Sequence, residues 1–318
     1  MFDTIIIGGG IAGFTAALFA ARRGLSVLVI AKDIGGQANS TDLIENFPGI
    51  GQTSGFGLVA TIRKQAEKFG INLVIAEATK IKKISGGFVV TAFGSQYKSQ
   101  TLILCLGKTP KDMGVSGEEF YKGRGISYCV DCDGPLFKKK QVAVVGAGEY
   151  VLDSTLTLSK FCRNVFCLIP SEKLFGHPAL IKAVQNRKNV SVMSYSQVLS
   201  IQGAEKVEGL EYLNLANEKQ ILKIDGIFVE LGYSIKPELY QELLETDELG
   251  QIVTGSGQST SVSGIFAAGD ITDSPYKQAV ISSGQAASAA LSAFDYLMRQ
   301  KGATGLSSDW TQIKILKK

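Results

Sequence analysis

The chain is poor in histidine, a residue that many enzymes use for proton transfer and metal binding. Its 318 residues include one histidine, His177, which stands beside Pro178. A lone histidine next to a proline is typical of a surface turn, so the sequence gives little support for histidine-based catalysis or a histidine metal site. No uninterrupted run of 18 apolar residues occurs, which argues against a transmembrane helix. The first residues read directly as a strand, without the features of a signal peptide, and we expect a cytoplasmic protein.

The chain also has only a small excess of positive over negative charge. The formal net charge is +4, from 33 basic and 29 acidic residues. This balance is too small and too scattered for a nucleic-acid-binding protein, but it is compatible with an acidic protein partner. The basic clusters that would serve such a partner are Lys138-Lys139-Lys140, Arg63-Lys64 and Lys317-Lys318.

Of the five cysteines, two have the spacing of a redox pair. Cys105, Cys162 and Cys167 lie in apolar or strand-like stretches and are expected to be reduced core thiols. Cys129 and Cys132 form a CxxC motif, which can close a disulfide or open to a dithiol and so hold two electrons. A structural zinc site would need a second ligand pair, which the CxxxxC spacing of the core thiols does not provide. No metal site is therefore predicted.

A strand, a glycine turn and a small-residue helix open the chain. Thr4 to Ile7 is followed by Gly8-x-Gly10-x-x-Gly13, a helix rich in alanine and a second apolar strand. In this context the GxGxxG motif predicts a dinucleotide-binding βαβ unit, in which the helix N-terminus faces the pyrophosphate. Asp33 is the acidic residue at the distance where a ribose contact is expected, although its position beyond the strand end leaves that role open.

The same pattern returns from Gln141, with Gly146-Ala147-Gly148 as the turn. The repeat predicts an α/β protein with two Rossmann-like, three-layer (ββα) nucleotide-binding domains. Polar and glycine-rich stretches suggest that the second domain is inserted into the first. We expect a discontinuous FAD-binding domain at residues 1–113 and 243–318, and an NAD(P)H-domain-like insert with the CxxC motif at 114–242.

Five ordered motifs resemble those of the low-molecular-weight thioredoxin reductase family, a group of flavoprotein disulfide reductases. In chain order they are Gly35-Gly36-Gln37, Glu45-Asn46-Phe47-Pro48-Gly49, Cys129-Val130-Asp131-Cys132-Asp133-Gly134, Ala267-Ala268-Gly269-Asp270 and Gln278-Ala279. The resemblance spans residues 3 to 298. It departs from the family pattern at Cys105-Leu106-Gly107, where Ala-Thr-Gly is usual.

The resemblance implies FAD as the cofactor. The pyrophosphate is expected at Gly8, Gly10 and Gly13. Gln37 and Asn46 are expected along the ribityl chain and isoalloxazine, Asp270 at the ribityl hydroxyls, and Gln278 with Ala279 at the pyrimidine edge of the flavin. The other cofactor-binding positions that it implies are Ile11, Ala12, Gly36, Ala78, Gly107, Gly269 and Lys277.

The resemblance also implies roles at the CxxC motif. Cys132 is expected to face the flavin and Cys129 to attack the disulfide of a protein substrate, thioredoxin or a thioredoxin-like protein. A leaving thiolate requires a proton, and Asp133 is the candidate acid. A homodimer is expected from the same resemblance.

The second glycine turn departs from the pattern of an NADPH-dependent member. Gly148 is followed by Glu149, Tyr150 and Val151, so a negative charge and two bulky side chains oppose a phosphate at this turn. After the next strand, no arginine occurs before Arg187. A 2'-phosphate thus has no bidentate partner. The chain resembles the ferredoxin-dependent branch, so a donor other than NADPH is expected, with reduced ferredoxin favoured.

Three alternatives stay open: an NAD(P)H-dependent thioredoxin reductase, a reduced deazaflavin as the donor, and a flavin-binding redox sensor or partner-binding protein with little turnover. The last residues continue beyond the family pattern to Trp310, the single tryptophan. We expect them to pack as an extra edge segment, with stacking of Trp310 on the flavin or the dimer mate as the alternative.

Overall fold

The computed structural model describes residues 1–41 and 43–303. Trp310, Lys317 and Lys318, with the predictions made for them, lie outside the described residues. In chain order, the strands are β1 (Phe2–Ile7), β2 (Val27–Ala31), β3 (Asn72–Ile75), β4 (Ala78–Ile84), β5 (Gly87–Ala92), β6 (Ser95–Leu104), β7 (Thr109–Pro110), β8 (Ile126–Ser127), β9 (Gln141–Gly146), β10 (Asn164–Leu168), β11 (Val190–Met193), β12 (Gln197–Gln202), β13 (Gly209–Leu213), β14 (Lys219–Lys223), β15 (Gly226–Glu230), β16 (Tyr233–Ser234) and β17 (Ile265–Ala267). The helices are α1 (Ile11–Arg22), α2 (Gly55–Glu67), α3 (Glu118–Tyr121), α4 (Val130–Asp133), α5 (Glu149–Ser159), α6 (Pro178–Gln185) and α7 (Ala279–Gln300).

The chain divides into two compact units. The first contains Met1–Ala38, Phe56–Lys108 and the described residues from Ile235 onward, and the second contains Asn39–Gly55 and Thr109–Ser234. Each unit has a parallel sheet with a glycine turn after one of its strands, so the predicted α/β fold with two Rossmann-like units is confirmed. The assignment of 1–113 with 243–318 to FAD binding and of 114–242 to the insert stays a prediction.

In the first unit, one sheet combines a parallel and an antiparallel part. Its strand order is β3-β2-β1-β6-β5-β4, and β17 pairs with the far end of β6. The pairs β3–β2, β2–β1, β1–β6 and β6–β17 are parallel, and β4, β5 and the start of β6 form an antiparallel meander. The apolar run Ile5 to Ile7 is buried in the middle of the sheet, as expected for a parallel strand covered on both faces.

Small side chains bring two helices of the first unit close together. Ala16, Ala17 and Ala20 of α1 are fully buried, as are Ala289 and Ala293 of α7. The two helices pack against each other, because methyl side chains let helix axes approach closely. The packing places the N-terminus of α7 in the same unit as the first glycine turn.

The second unit contains a five-stranded parallel sheet in the order β11-β10-β9-β15-β8, a three-stranded antiparallel sheet β12-β13-β14 and a short ribbon of β16 with β7. The repeated strand, glycine turn, helix and strand predicted from Gln141 appear as β9, α5 and β10. The sheet β12-β13-β14 was not predicted. Its last strand is largely exposed and rich in lysine, so it lacks a clear apolar alternation.

None of the helices in residues 1–41 and 43–303 combines the length and the apolar character needed to cross a bilayer.

Candidate redox site and its two nucleotide turns

Close backbone contacts explain two of the glycines in the first turn. Gly8 has φ of 126°, and a Cβ placed there would lie 2.0 Å from the carbonyl oxygen of Cys105. A Cβ at Gly13 would lie 1.9 Å from the carbonyl oxygen of Gly8. Both positions therefore require glycine, as the fingerprint interpretation predicts for a tight turn and for close packing of helix on strand.

Gly10 has a different function in the same turn. A Cβ there would meet nothing nearer than the carbonyl oxygen of Gly35 at 3.5 Å, so this glycine leaves the space in front of α1 clear. Gly10 is the N-cap of α1, whose first turn contains no acidic residue. Free N–H groups and the positive end of the helix dipole at a clear turn fit the diphosphate of FAD.

The segment before α7 approaches this turn. A Cβ on Gly269 would lie 3.0 Å from the Cβ of Ala12, and the Gly269 N–H donates to Gln285 Oε1 at 2.9 Å. Ser282 Oγ donates to Asp270 Oδ1 at 3.2 Å, and Lys277 Nζ donates to the Asp270 carbonyl oxygen at 3.3 Å. The structure thus brings Gly269 and Asp270 near the predicted pyrophosphate turn. Ile11 and Ala12 lie in the first turn of α1, while Gln278 is the N-cap of α7 and Ala279 its first residue.

Lys277 is a half-buried cation at the start of α7. Burial lowers its pKa, and this effect exceeds the opposing attraction of Asp270, Asp273 and Asp247. The ammonium group is held by backbone carbonyl oxygens, including that of Thr272. It therefore fixes the loop after β17 as well as placing positive charge there.

Other predicted cofactor residues lie at separate places. Gly36 and Gln37 begin a 3-10 helix (Gly36–Ser40), Ala78 begins β4 opposite Ala92, and Gly107 follows β6. Asn46 belongs to the second unit. Asp33, considered for a ribose contact, accepts the Gly36 N–H at 2.9 Å and so closes the turn before that 3-10 helix.

In the second unit, the CxxC motif forms a disulfide at the start of a short helix. Cys129 and Cys132 are bonded, and Cys129 is the N-cap of α4. The Cys132 N–H donates to Cys129 Sγ at 3.2 Å. Both cysteines are half-buried, whereas Asp131 between them is exposed. The pair is thus a closed disulfide in a turn whose backbone polarises one of the two sulfurs.

A serine connects the predicted acid to the disulfide turn. Asp133 is 8% exposed, and Ser127 Oγ donates to Asp133 Oδ2 at 2.6 Å. The same hydroxyl oxygen accepts the Cys129 N–H at 3.1 Å. Ser127 was not identified from the sequence. The available signal was a polar residue between the apolar Ile126 and Tyr128.

The second glycine turn differs from the first in the residues that follow it. Glu149 is the first residue of α5, and its Oε1 accepts the His177 N–H at 3.0 Å. Tyr150 is 68% exposed, but Val151 is 1% exposed and faces Gly146 inside the core. The expectation that Val151 crowds the phosphate position is therefore corrected, because its side chain packs inward. Glu149 still places an acidic side chain where a diphosphate would meet the helix.

Burial separates the other three thiols from the redox pair. Cys105, Cys162 and Cys167 are free and buried, which confirms them as core thiols. Burial raises the pKa of Cys105 to about 12 and that of Cys162 and Cys167 to about 11. Since the thiolate is the reactive form, these cysteines are chemically inert near neutral pH.

The histidine has a structural contact. His177 is exposed at the N-cap of α6, and its Nδ1 accepts the Ala179 N–H at 3.3 Å. This agrees with the surface turn expected from the sequence. Within the part of the chain that the structure describes, no group of three or more His, Cys, Asp or Glu side chains is placed to hold a metal ion.

Two Rossmann-like units, a clear diphosphate turn and a disulfide in a CxxC motif define the class of flavoprotein disulfide oxidoreductases. The chain matches the pyridine nucleotide-disulphide oxidoreductase family over residues 2–289 and belongs to that family, whose members are FAD flavoproteins. The residues at the first turn fit the diphosphate of this cofactor.

A solved structure supports the same conclusion. Thioredoxin reductase from Streptococcus pyogenes is similar with a TM-score of 0.91 and 32% identity, over 94% of this chain and 99% of that chain. The similarity to thioredoxin reductases is thereby confirmed at the level of the fold. The ferredoxin-dependent branch stays a prediction.

Two curated relatives are longer than this chain. A protein named NADH dehydrogenase from Bacillus subtilis is 35% identical over 300 residues, which cover 94% of this chain and 59% of the relative. An alkyl hydroperoxide reductase component of Pseudomonas putida is 36% identical over 305 residues, covering 94% of this chain and 58% of the relative. The chain therefore spans less than two thirds of the length of these relatives.

Proposed function

We propose that this protein is a FAD-dependent disulfide reductase that reduces thioredoxin or a thioredoxin-like protein through Cys129 and Cys132. The observation that carries the proposal is the closed disulfide tied through Ser127 to the buried carboxylate of Asp133. The similarity to the fold of the Streptococcus pyogenes thioredoxin reductase adds support for a protein disulfide as the substrate.

The redox turn contributes two sulfurs and one carboxyl group to disulfide reduction. FAD, held at the Gly8, Gly10 and Gly13 turn, would supply the pair of electrons with which the Cys129–Cys132 disulfide is reduced. Two protons must follow for a complete dithiol, and Asp133 donates one to the leaving thiolate. The Cys129 thiolate then attacks the substrate disulfide and forms a mixed disulfide, which Cys132 resolves as the intramolecular bond closes again.

Two serine variants test the thiol assignment. Cys129→Ser and Cys132→Ser should retain flavin binding and lose thioredoxin reduction, because either change removes one sulfur of the exchange. Cys162→Ser is the matched control, since that thiol is buried, forms no disulfide and should be dispensable for turnover. Thioredoxin reduction that survives in either CxxC variant contradicts the proposal.

For the electron donor we propose a reduced ferredoxin rather than NADPH. The proposal rests on Glu149 at the N-terminus of α5 and on the absence of arginine between Gly148 and Arg187 in the sequence, apart from Arg163 before β10. The exposed cluster Lys138-Lys139-Lys140 complements an acidic donor. An NAD(P)H-dependent reductase is the second candidate, favoured by the family match and by the relative named NADH dehydrogenase.

Parallel anaerobic titrations separate these donors. The FAD-loaded protein is mixed with NADPH, with NADH and with photoreduced ferredoxin, and the flavin absorbance is followed. Rapid stoichiometric bleaching by ferredoxin alone is expected. Bleaching by NADPH or NADH at micromolar concentrations contradicts the ferredoxin proposal, and a disulfide that cycles without reducing any thioredoxin with any donor points to a redox sensor.

A homodimer and a cytoplasmic location complete the proposal. Three free thiols in one chain are consistent with a reducing compartment. Light scattering on the purified holoprotein tests the oligomeric state, and a mass of one protomer contradicts the dimer.

A further inference from the structure

The second unit contains a cavity that adjoins the redox turn. Its volume is about 250 Å³, and Ser127 and Asp133 both line it. The other charged residues along its wall are Arg124, Lys140, Lys206 and Asp225. A water molecule occupies about 30 Å³ in the liquid, so a cavity of this size, lined by polar as well as apolar side chains, has room for several waters.

Ser127 stands between this cavity and the disulfide turn. The Ser127 hydroxyl donates to Asp133 Oδ2 at 2.6 Å and accepts the Cys129 N–H at 3.1 Å. Ser127 is 3% exposed. Ser127 belongs to β8, which pairs with β15 through Phe228, so the sheet fixes its backbone and the two hydrogen bonds hold its hydroxyl. One rigid group thus orients the carboxylate relative to the peptide of Cys129.

Protons have to reach Asp133 after each turnover. The carboxylate gives up a proton when a thiolate is released and must recover one from water before the next cycle. Asp133 is nearly buried, yet it lines a cavity large enough for water. The cavity therefore offers a route for this return.

We propose that Ser127 is a positioning residue that holds Asp133 as a proton carrier between the Cys129–Cys132 disulfide and the cavity of the second unit. The inference rests on the proposed function, because it assumes that Asp133 protonates the released thiolate. It adds a residue that the sequence motifs do not identify and a path by which solvent protons arrive.

The test needs neither the electron donor nor thioredoxin. Dithiothreitol opens the disulfide of the FAD-loaded protein: one of its thiolates attacks a sulfur, the Cys129–Cys132 bond breaks, and the released thiolate takes a proton. The second dithiothreitol sulfur then closes its own ring and releases the other cysteine, so the reagent is oxidised and the protein is reduced. Rapid alkylation and mass spectrometry measure the rate across a range of pH.

Ser127→Ala should open about tenfold more slowly than the wild type, once the rate is corrected for the thiolate fraction of dithiothreitol. The corrected rate falls at alkaline pH, and in Ser127→Ala this fall should move to higher pH, because the Asp133 carboxylate loses a hydrogen-bond donor. Ser127→Thr retains the hydroxyl and should restore the rate to within about twofold, whereas an unrestored rate overturns the positioning role.

Ser154→Ala is the matched control. Ser154 is also a buried serine that donates to a carboxylate, that of Glu230, but it lies on α5 away from the cavity. Ser154→Ala should lose about as much stability as Ser127→Ala, but the variant should open its disulfide at the wild-type rate. Equal rates and equal pH limbs for Ser127→Ala and the wild type overturn the inference.

A second pair of variants tests the cavity without changing Ser127. Leu136 lines the cavity and is 39% exposed, so Leu136→Trp should fill part of it and slow the corrected rate several-fold. Leu215→Trp adds the same ring at a residue that is 69% exposed and outside the cavity lining. Equal rates for these two variants overturn the proton route. A wild-type protein that opens its disulfide but reduces no thioredoxin contradicts the proposed function alone.

Discussion

Glu149 Oε1 accepts a 3.0 Å hydrogen bond from the backbone N–H of His177, and this contact holds a carboxylate at the first turn of α5. At the corresponding place in the first turn, α1 begins with no acidic residue. One chain thus contains two glycine turns that differ in the charge at the start of the following helix. The difference predicts that dinucleotides bind at the first turn in preference to the second.

Neutralising this carboxylate should strengthen dinucleotide binding at the second turn. Glu149→Gln preserves an oxygen acceptor for the His177 N–H and removes the charge. We expect the affinity for NADH to rise about fivefold, near 1 kcal/mol, because repulsion of the diphosphate is lost. Equilibrium titration of the holoprotein measures the change. Glu205→Gln, a change at an exposed loop position, is the control, and equal affinities in the two variants contradict the prediction.

Two glycines of the first turn should respond differently to alanine. Gly13→Ala places a Cβ 1.9 Å from the Gly8 carbonyl oxygen, so the turn must open and little folded protein is expected. Gly10→Ala meets only the Gly35 oxygen at 3.5 Å and should fold, but its methyl group enters the space for the diphosphate. We expect at least about a tenfold loss of FAD affinity. Flavin content and thermal unfolding of both variants test this, and full flavin retention in Gly10→Ala would show that the diphosphate lies elsewhere.

The thiols should separate into two reactivity classes. After reduction of the protein, Cys129 and Cys132 should react rapidly with iodoacetamide, and Cys105, Cys162 and Cys167 should react only after denaturation. The reason is burial, which raises the pKa of Cys105 to about 12 and that of the other two core thiols to about 11. Peptide mass spectrometry after brief alkylation counts the labels. Labelling of any core thiol in the native protein contradicts this assignment.

Folding stability should fall in alkali. The three core thiols retain their protons in the folded state at pH values where the unfolded chain, with thiols near an ordinary pKa of about 8.5, has lost them. The folded protein then binds more protons, so the free energy of unfolding decreases as pH rises from about 8.5 toward 11 and 12. Urea unfolding at several pH values measures the slope. Cys167→Ala removes one of the three thiols and should reduce the slope, and an unchanged slope would exclude this origin.

Much of the first unit follows from local sequence pattern. The apolar run at Ile5 to Ile7, the glycine spacing and the alanine-rich helix each have a short-range cause, since they depend on burial, turn sterics and helix packing. The CxxC pair is also visible in the sequence, because its chemistry depends on two cysteines at fixed spacing. By contrast, β12-β13-β14 has no clean alternation, and its pairing depends on partners distant in the chain.

The sequence by itself determined the two glycine turns, the redox pair and the inert character expected of the other thiols, because backbone sterics and residue type decide those properties. Only the tertiary structure decided that Val151 points into the core, that Glu149 binds the loop before α6, and that Ser127 joins Asp133 to the disulfide turn. Each of these depends on the direction of a side chain relative to residues brought near by folding. Spacing along the chain does not contain that information, since burial and hydrogen-bond partners are set by the packed sheet and helices around the site.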